Sequence, residues 1–164
     1  MEGAGSGMSD QKIAEMEKLN ERKNSAKEEN QTECRTQEDV KRVVDMALEA
    51  GRILLRNGGE IFRVEETITR ICHHFGVEHV DIFTLSHGIF VSAENEKGDA
   101  YTKVKHIPLS GAHIGVVAEV NELSRQIAEG KVSVSEAEGR LKEIDRMSSS
   151  RKEFQVLAAG AAAS

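Results

Sequence analysis

The sequence predicts an α+β fold in which two helices precede a three-stranded antiparallel sheet and two further helices follow it. Apolar residues recur every three or four positions over residues 36–75 and again over 114–144, which is typical of helices packed on one face. Between residues 80 and 107 the period changes to two, which indicates strands. With 164 residues, of which 4% are aromatic, the chain has room for one helix-rich domain without a large aromatic pocket.

The first helix is expected to begin at a capping arrangement of Thr36 and Asp39. Its apolar stripe runs from Val40 to Leu55 with helical spacing. Residues 57–59, Asn-Gly-Gly, then supply backbone positions that end a helix and reverse the chain.

A second helix is predicted from Glu60 to Phe75, with Ile61 among its buried residues. At about 100° per residue, Glu60, Arg63 and Thr67 fall on a polar flank beside the apolar stripe. Glu65 instead lies at the margin of the apolar face, where a carboxylate needs a partner. We expect that partner to be Arg63, a histidine or a backbone amide of the sheet.

Three segments are predicted as strands, and two helices follow them. The third helix carries Asn121 in the middle of an apolar stripe, so Asn121 and Glu65 are candidates for a polar cluster. The last helix is expected to open with a capping box at residues 133–136 and to run through Ile144. The strands are Val80–Leu85, Ile89–Ala93 and Tyr101–Ile107, and the third helix is Ile114–Ala128.

The chain divides into three expected segments: a disordered polar arm at 1–35, a soluble α+β domain at 36–147, and a basic linker with the start of a first transmembrane helix at 148–164. The last is suggested by the nearly uncharged run 154–163, which follows basic residues. A bilayer span needs about 20 apolar residues. The run 154–163 is shorter than that, so we expect only the beginning of a membrane helix, cut at Ser164. The alternative is that these residues form an Ala-rich tail docked on the domain.

Charge and cysteine usage exclude several classes of protein. The formal net charge of −6 argues against nucleic acid as a partner. Cys34 lies in a polar tail and Cys72 in an apolar stripe, so the two predict no disulfide and fit a reducing compartment. Residues 1–30 contain no apolar run of the kind found in a signal peptide.

Motifs for covalent or metal chemistry are weak. Cys72 and the two histidines after it are adjacent on a helix and point about 100° apart, so they cannot converge on one metal ion. Ser86 and His87 lack the GxSxG turn of a serine hydrolase. We predict no catalytic residue, no metal and no cofactor, although hydrolase activity stays open.

Four separated blocks resemble the N-terminal domain of the threonine/serine exporter family, which also contains dicarboxylate (succinate) exporter subunits. The blocks are AGRILLRNGGEIFRVEET at 50–67, GIFVS at 88–92, YTKVKHIP at 101–108 and VNELSR at 120–125, and the resemblance extends over residues 39–144. Glu60, Arg63, Glu65 and Asn121 match motif positions whose role the resemblance does not assign.

The resemblance implies a cytoplasmic domain that precedes the helices of a cell-membrane exporter of threonine, serine or a dicarboxylate. Its partners would be the membrane portion of the same protein or a second, small membrane subunit, and self-association into a homo-oligomer stays open. We expect a gating or structural role for the polar flank, with His87 and its loop as further candidates. The alternative is a soluble enzyme or ligand-sensing domain with a pocket around Glu60, Arg63 and His87.

Overall fold

The computed structural model describes residues 36–161 except 95–97, 99 and 109, and for residues 150–161 it describes the backbone alone. The polar arm expected at 1–35 lies outside the described residues. The described part confirms the predicted α+β fold and its order of elements. The helices are α1 (Gln37–Arg56), α2 (Ile61–His74), α3 (Ile114–Ala128) and α4 (Val134–Ala161), and the strands are β1 (His79–Leu85), β2 (Gly88–Glu94) and β3 (Ala100–His106).

Helix α1 begins as the sequence predicts. The Thr36 hydroxyl accepts a hydrogen bond from the Asp39 amide at 3.2 Å, and the Asp39 carboxylate accepts one from the Thr36 amide at 3.1 Å. This reciprocal pair satisfies two amides that the helix itself leaves without partners. Beyond the cap, the apolar stripe from Val40 to Leu55 is buried in the core.

The sheet is an antiparallel meander with the order β1-β2-β3. Its register places Phe83 opposite Phe90 and Phe90 opposite Val104. One face buries Ile89 and Val91 against the helices. On the other face the Phe83, Phe90 and Val104 side chains are exposed.

Helix α1 occupies the centre of the fold. It contacts all three other helices as well as β2 and β3, whereas α3 and α4 contact helices alone in the described part of the chain. The domain is therefore built in layers, with the sheet on one side, α1 and α2 in the middle, and α3 and α4 on the far side.

One end of this layered unit collects several chain reversals, and we call it the Gly-Gly end. Here α1 ends, α2 and α3 begin, and β1 turns into β2. Backbone hydrogen bonds join these segments: the Ser110 amide donates to the Arg56 carbonyl at 3.2 Å, and the Ile107 amide donates to the His87 carbonyl at 2.8 Å. Gly58 supplies the left-handed conformation of the turn, with φ of +85°.

Helix α4 continues past Ile144, where the sequence analysis placed its end, to Ala161. The sequence analysis placed a basic linker from residue 148, but Ser148 is buried against α1 and the helix has no glycine or proline between residues 140 and 159. None of the helices among the described residues is both long enough and apolar enough to span a bilayer. The start of a transmembrane helix near residue 154 stays a prediction.

Candidate functional site

Glu60 and Arg63 lie side by side at the Gly-Gly end. Glu60 is the N-cap residue of α2, and its carboxylate lies 3.6 Å from Nε of Arg63. The Arg63 guanidinium also lies 5.5 Å from the centre of the neighbouring Phe62 ring. Both charged side chains are more than half exposed, so this pair is available to a binding partner.

Thr67 does not belong to that exposed flank, and its placement there was wrong. The residue is 1% exposed. It lies one turn after Val64 and one turn before Ile71, both of which are buried, so it continues the apolar stripe of α2. Its methyl group makes such a position tolerable for a threonine.

Glu65 has the kind of partner that the sequence predicts. Its Oε1 accepts a hydrogen bond from the Thr84 amide of β1 at 3.0 Å, and the side chain is half-buried. The carboxylate therefore fastens α2 to the first strand close to the Gly-Gly end. This bond does not involve Asn121, whose backbone carbonyl accepts a hydrogen bond from the Ser124 hydroxyl within α3. The cluster of Glu65 with Asn121 stays a prediction.

Replacing Glu65 with alanine is expected to lower the free energy of unfolding by about 1 to 2 kcal/mol, because the Thr84 amide loses its acceptor. Glu65→Gln keeps a carbonyl oxygen at the same place and should lose less than half as much. Chemical denaturation of the two variants measures the difference. Glu66→Gln, on the exposed side of the same helix, is the matched control, and equal losses for Glu65→Ala and Glu65→Gln would contradict the hydrogen-bond role.

His87 lies in the exposed turn between β1 and β2. Its Nδ1 is 2.9 Å from the Ser86 hydroxyl. Within the described residues, no hydrogen bond or ion pair joins this ring to Glu60 or Arg63. The structure thus places Glu60, Arg63 and His87, the residues of the alternative pocket, on the surface. It brings Glu60 and Arg63 into contact and leaves His87 apart from them.

Asn57, which the sequence analysis treated as a turn residue, is the main polar group of the Gly-Gly end. It is 1% exposed. Its Nδ2 donates to the Ile53 carbonyl at 2.8 Å, and its Oδ1 accepts from the Ser148 hydroxyl of α4 at 2.8 Å. The Asn57 carbonyl also accepts from the His113 amide at 3.0 Å. One buried side chain and its backbone therefore connect the end of α1 to both α3 and α4.

A network of ion pairs extends along α1 from the sheet to α4. On the sheet side, Asp45 and Glu49 lie one turn apart and meet alternate lysines of β3. On the opposite side, Arg52 lies 2.8 Å from Asp145 of α4. The sequence analysis did not predict these ion pairs, because the lysines occupy strand positions that usually face a core. The pairs are Lys103–Asp45 at 2.5 Å, Lys105–Glu49 at 2.6 Å, Arg52–Glu49 at 2.6 Å and Arg56–Asp145 at 3.5 Å.

Glu49 is the central carboxylate of this network. Burial alone would raise its pKa, but hydrogen bonds from Arg52 and Lys105 outweigh that effect and lower the pKa below its usual value. For Arg52, burial opposes the charged form, and the hydrogen bonds to Glu49 and Asp145 raise its pKa. Both groups are therefore held in their charged forms.

The Glu49 pairing predicts an acid-dependent loss of stability. Because its folded pKa lies below its unfolded value of about 4.3, it stabilises the fold above that pH and stops doing so as the pH falls through the folded pKa. Between about pH 5 and 3 the wild-type unfolding free energy should fall more steeply than that of Glu49→Gln. Denaturant titrations across this range measure both curves, and parallel curves would contradict the prediction.

The described residues contain no group of three or more histidine, cysteine, aspartate or glutamate side chains that could hold a metal ion. The Ser86 and His87 side chains meet, but both are exposed. The buried and half-buried polar groups of the Gly-Gly end, Asn57 and Glu65, join neighbouring elements through hydrogen bonds.

Comparison with known proteins identifies the family. Residues 45–164 match the family model ThrE, described as "Putative threonine/serine exporter". Searches of curated proteins and of solved structures give no match. The matched segment covers well over half of the chain and includes both the Asn57 contacts and the ion-pair network. The chain therefore belongs to the threonine/serine exporter family, a family of membrane transporters.

Proposed function

We propose that this chain forms the cytoplasmic N-terminal domain of an exporter of threonine and serine, and that it supports or gates transport without covalent chemistry. The observation that carries the proposal is the attachment of α4. This helix is fixed to α1 through Ser148 and Asp145, and it then continues towards the apolar sequence that begins at Phe154. A domain built in this way can transmit force to a membrane helix.

The exposed pair of Glu60 and Arg63 is the proposed gating contact. A gate needs groups whose contacts differ between two transporter states, and exposed charges at the start of a helix meet that requirement. Asn57 fixes the turn just before this helix, so a change at the exposed pair reaches α4 through a short path. The partner is the membrane portion of the same protein or a second, small membrane subunit.

The substrate class follows the family description, which specifies threonine and serine. A dicarboxylate such as succinate is a second candidate substrate because the resemblance of the sequence blocks extends to succinate exporter subunits. We propose that the domain lies at the cell membrane on its cytoplasmic side.

Arg63→Ala in the full-length protein is expected to reduce threonine export severalfold while membrane abundance stays normal, because an exposed side chain contributes little to folding. Efflux of labelled threonine from preloaded cells measures the rate. The matched control is Arg125→Ala, which removes an arginine of similar exposure that also pairs with a glutamate three residues earlier, on α3. Equal export rates for the two variants would contradict a gating role for Arg63.

A further inference from the structure

The large apolar side chains that are exposed in the described part of the chain lie towards one end of the domain. Ile114 is 83% exposed and Phe62 is 59% exposed, and each stands in the first turn of its helix. Ile61, which the sequence analysis placed in the core, is exposed as well. The full set is Ile61, Phe62, Phe83, Leu85, Phe90, Val104, Ile114 and Met147.

Three of these residues lie together on the sheet. Phe83, Phe90 and Val104 form a row across the outer face of the sheet, and the centres of the two phenylalanine rings are 6.3 Å apart. Among the rows on this outer face, it is the second from the β1–β2 turn. The Glu65–Thr84 hydrogen bond holds the start of α2 against the same end of β1.

The opposite end of the domain differs in character. There α1 begins, α2 and α3 end, and α4 begins, and the described residues expose no large apolar side chain. Exposed apolar side chains that are concentrated on one part of a domain mark an interaction site. The asymmetry therefore points to a partner that approaches the Gly-Gly end.

Helix α4 leaves the domain at this same end. Ser148 lies against Asn57 at the end of α1, and the helix continues for 13 residues from 149 to 161. At 1.5 Å per residue this extension measures about 20 Å. Residues 149–153 are polar and include Arg151 and Lys152, whereas the sequence from Phe154 to Ala161 carries no charge. The helix therefore passes from the apolar end of the domain through a short charged segment into an apolar one.

We infer that the Gly-Gly end rests on the surface of the lipid bilayer, with Phe62 and Ile114 inserted at the boundary between headgroups and acyl chains. The inference rests on the proposed function, which puts the domain next to a membrane. Insertion removes apolar side chains from water. Arg146, which is exposed and precedes Met147 of the apolar set, is placed to bind a phosphate headgroup.

A second copy of the chain fits this surface less well. Pairing through the flat outer face of the sheet would cover Phe83, Phe90 and Val104. It would leave Ile114 and Met147, on helices at the far side of the sheet, still exposed to water. A bilayer at the Gly-Gly end takes up Phe62 and Ile114, which pairing through the sheet would leave in water.

The chain contains no tryptophan, so a substituted tryptophan is a unique fluorescent reporter. Phe62→Trp and Ile114→Trp place it at the proposed contact, and Ala128→Trp places it at an exposed position at the other end of α3. Each 164-residue protein is mixed with vesicles of phosphatidylcholine and anionic phosphatidylglycerol, with or without brominated acyl chains. Bromine quenches tryptophan only at close range.

Quenching of about twofold or more is expected at positions 62 and 114 and none at 128. Vesicle binding without quenching at positions 62 and 114 would overturn the inference, because the C-terminal apolar run would then be the sole attachment. Sedimentation at the mass of a dimer, with no vesicle binding, would assign the surface to a second copy and would also overturn it. These outcomes are independent of export, so a failure here is distinguishable from a failure of the proposed transport role.

Discussion

Replacing Asn57 with alanine is expected to lower the free energy of unfolding by about 3 kcal/mol. The Asn57 side chain donates to the Ile53 carbonyl and accepts from Ser148, and it is buried. Without it, the Ser148 hydroxyl stays buried and loses its acceptor. Because buried polar groups are left without partners, Asn57→Ala should lower the unfolding free energy more than the replacement of an exposed turn residue does.

Thermal and chemical denaturation of Asn57→Ala, Ser148→Ala and the double variant measure the effect and its origin. Ser148→Ala alone should lose about 1 kcal/mol, because Asn57 keeps its bond to the Ile53 carbonyl. The double variant should lose less than the sum of the two single changes, which is the signature of a direct contact. Strictly additive losses would contradict the contact between α1 and α4.

Replacing Asp145 with alanine is expected to lower the unfolding free energy by about 2 kcal/mol. Asp145 pairs with Arg52, whose side chain is 14% exposed, and also lies near Arg56. Removal of the carboxylate leaves these half-buried guanidinium groups without their partner on α4. In the full-length protein the same change should slow export, because α4 is held less firmly against the domain.

Glu143→Ala is the matched control, because Glu143 is an acidic residue exposed on the same helix. A surface substitution of this kind changes stability by about 0.5 kcal/mol or less. Chemical denaturation of the two purified variants compares their stabilities. If Asp145→Ala and Glu143→Ala lost the same amount, Asp145 would not be a structural link between α4 and α1.

The elements of this fold were predictable because each has its own local signal. The period-two segments of the sheet start and end within one residue of the observed strands, and α3 has the predicted bounds. Thr36 and Asp39 form the expected cap. Such signals depend on neighbours in sequence, which a single sequence displays directly.

The contacts of the site were harder to predict because they join distant segments. Asn57 and Ser148 are 91 positions apart, and Lys105 reaches Glu49 across 56 positions. Nothing in the spacing of the sequence reveals which strand face meets which helix. Glu65 was an exception, since a carboxylate at the edge of an apolar stripe requires a partner wherever it lies.

Export itself is measured most directly by the release of labelled threonine, serine and succinate from preloaded cells with and without the full-length gene. Cells that carry the gene are expected to release threonine and serine faster than cells that lack it. Faster release of succinate in place of the two amino acids would identify a dicarboxylate exporter. Equal release of all three compounds by the two kinds of cell, with the protein present in the membrane, would contradict the proposed transport function.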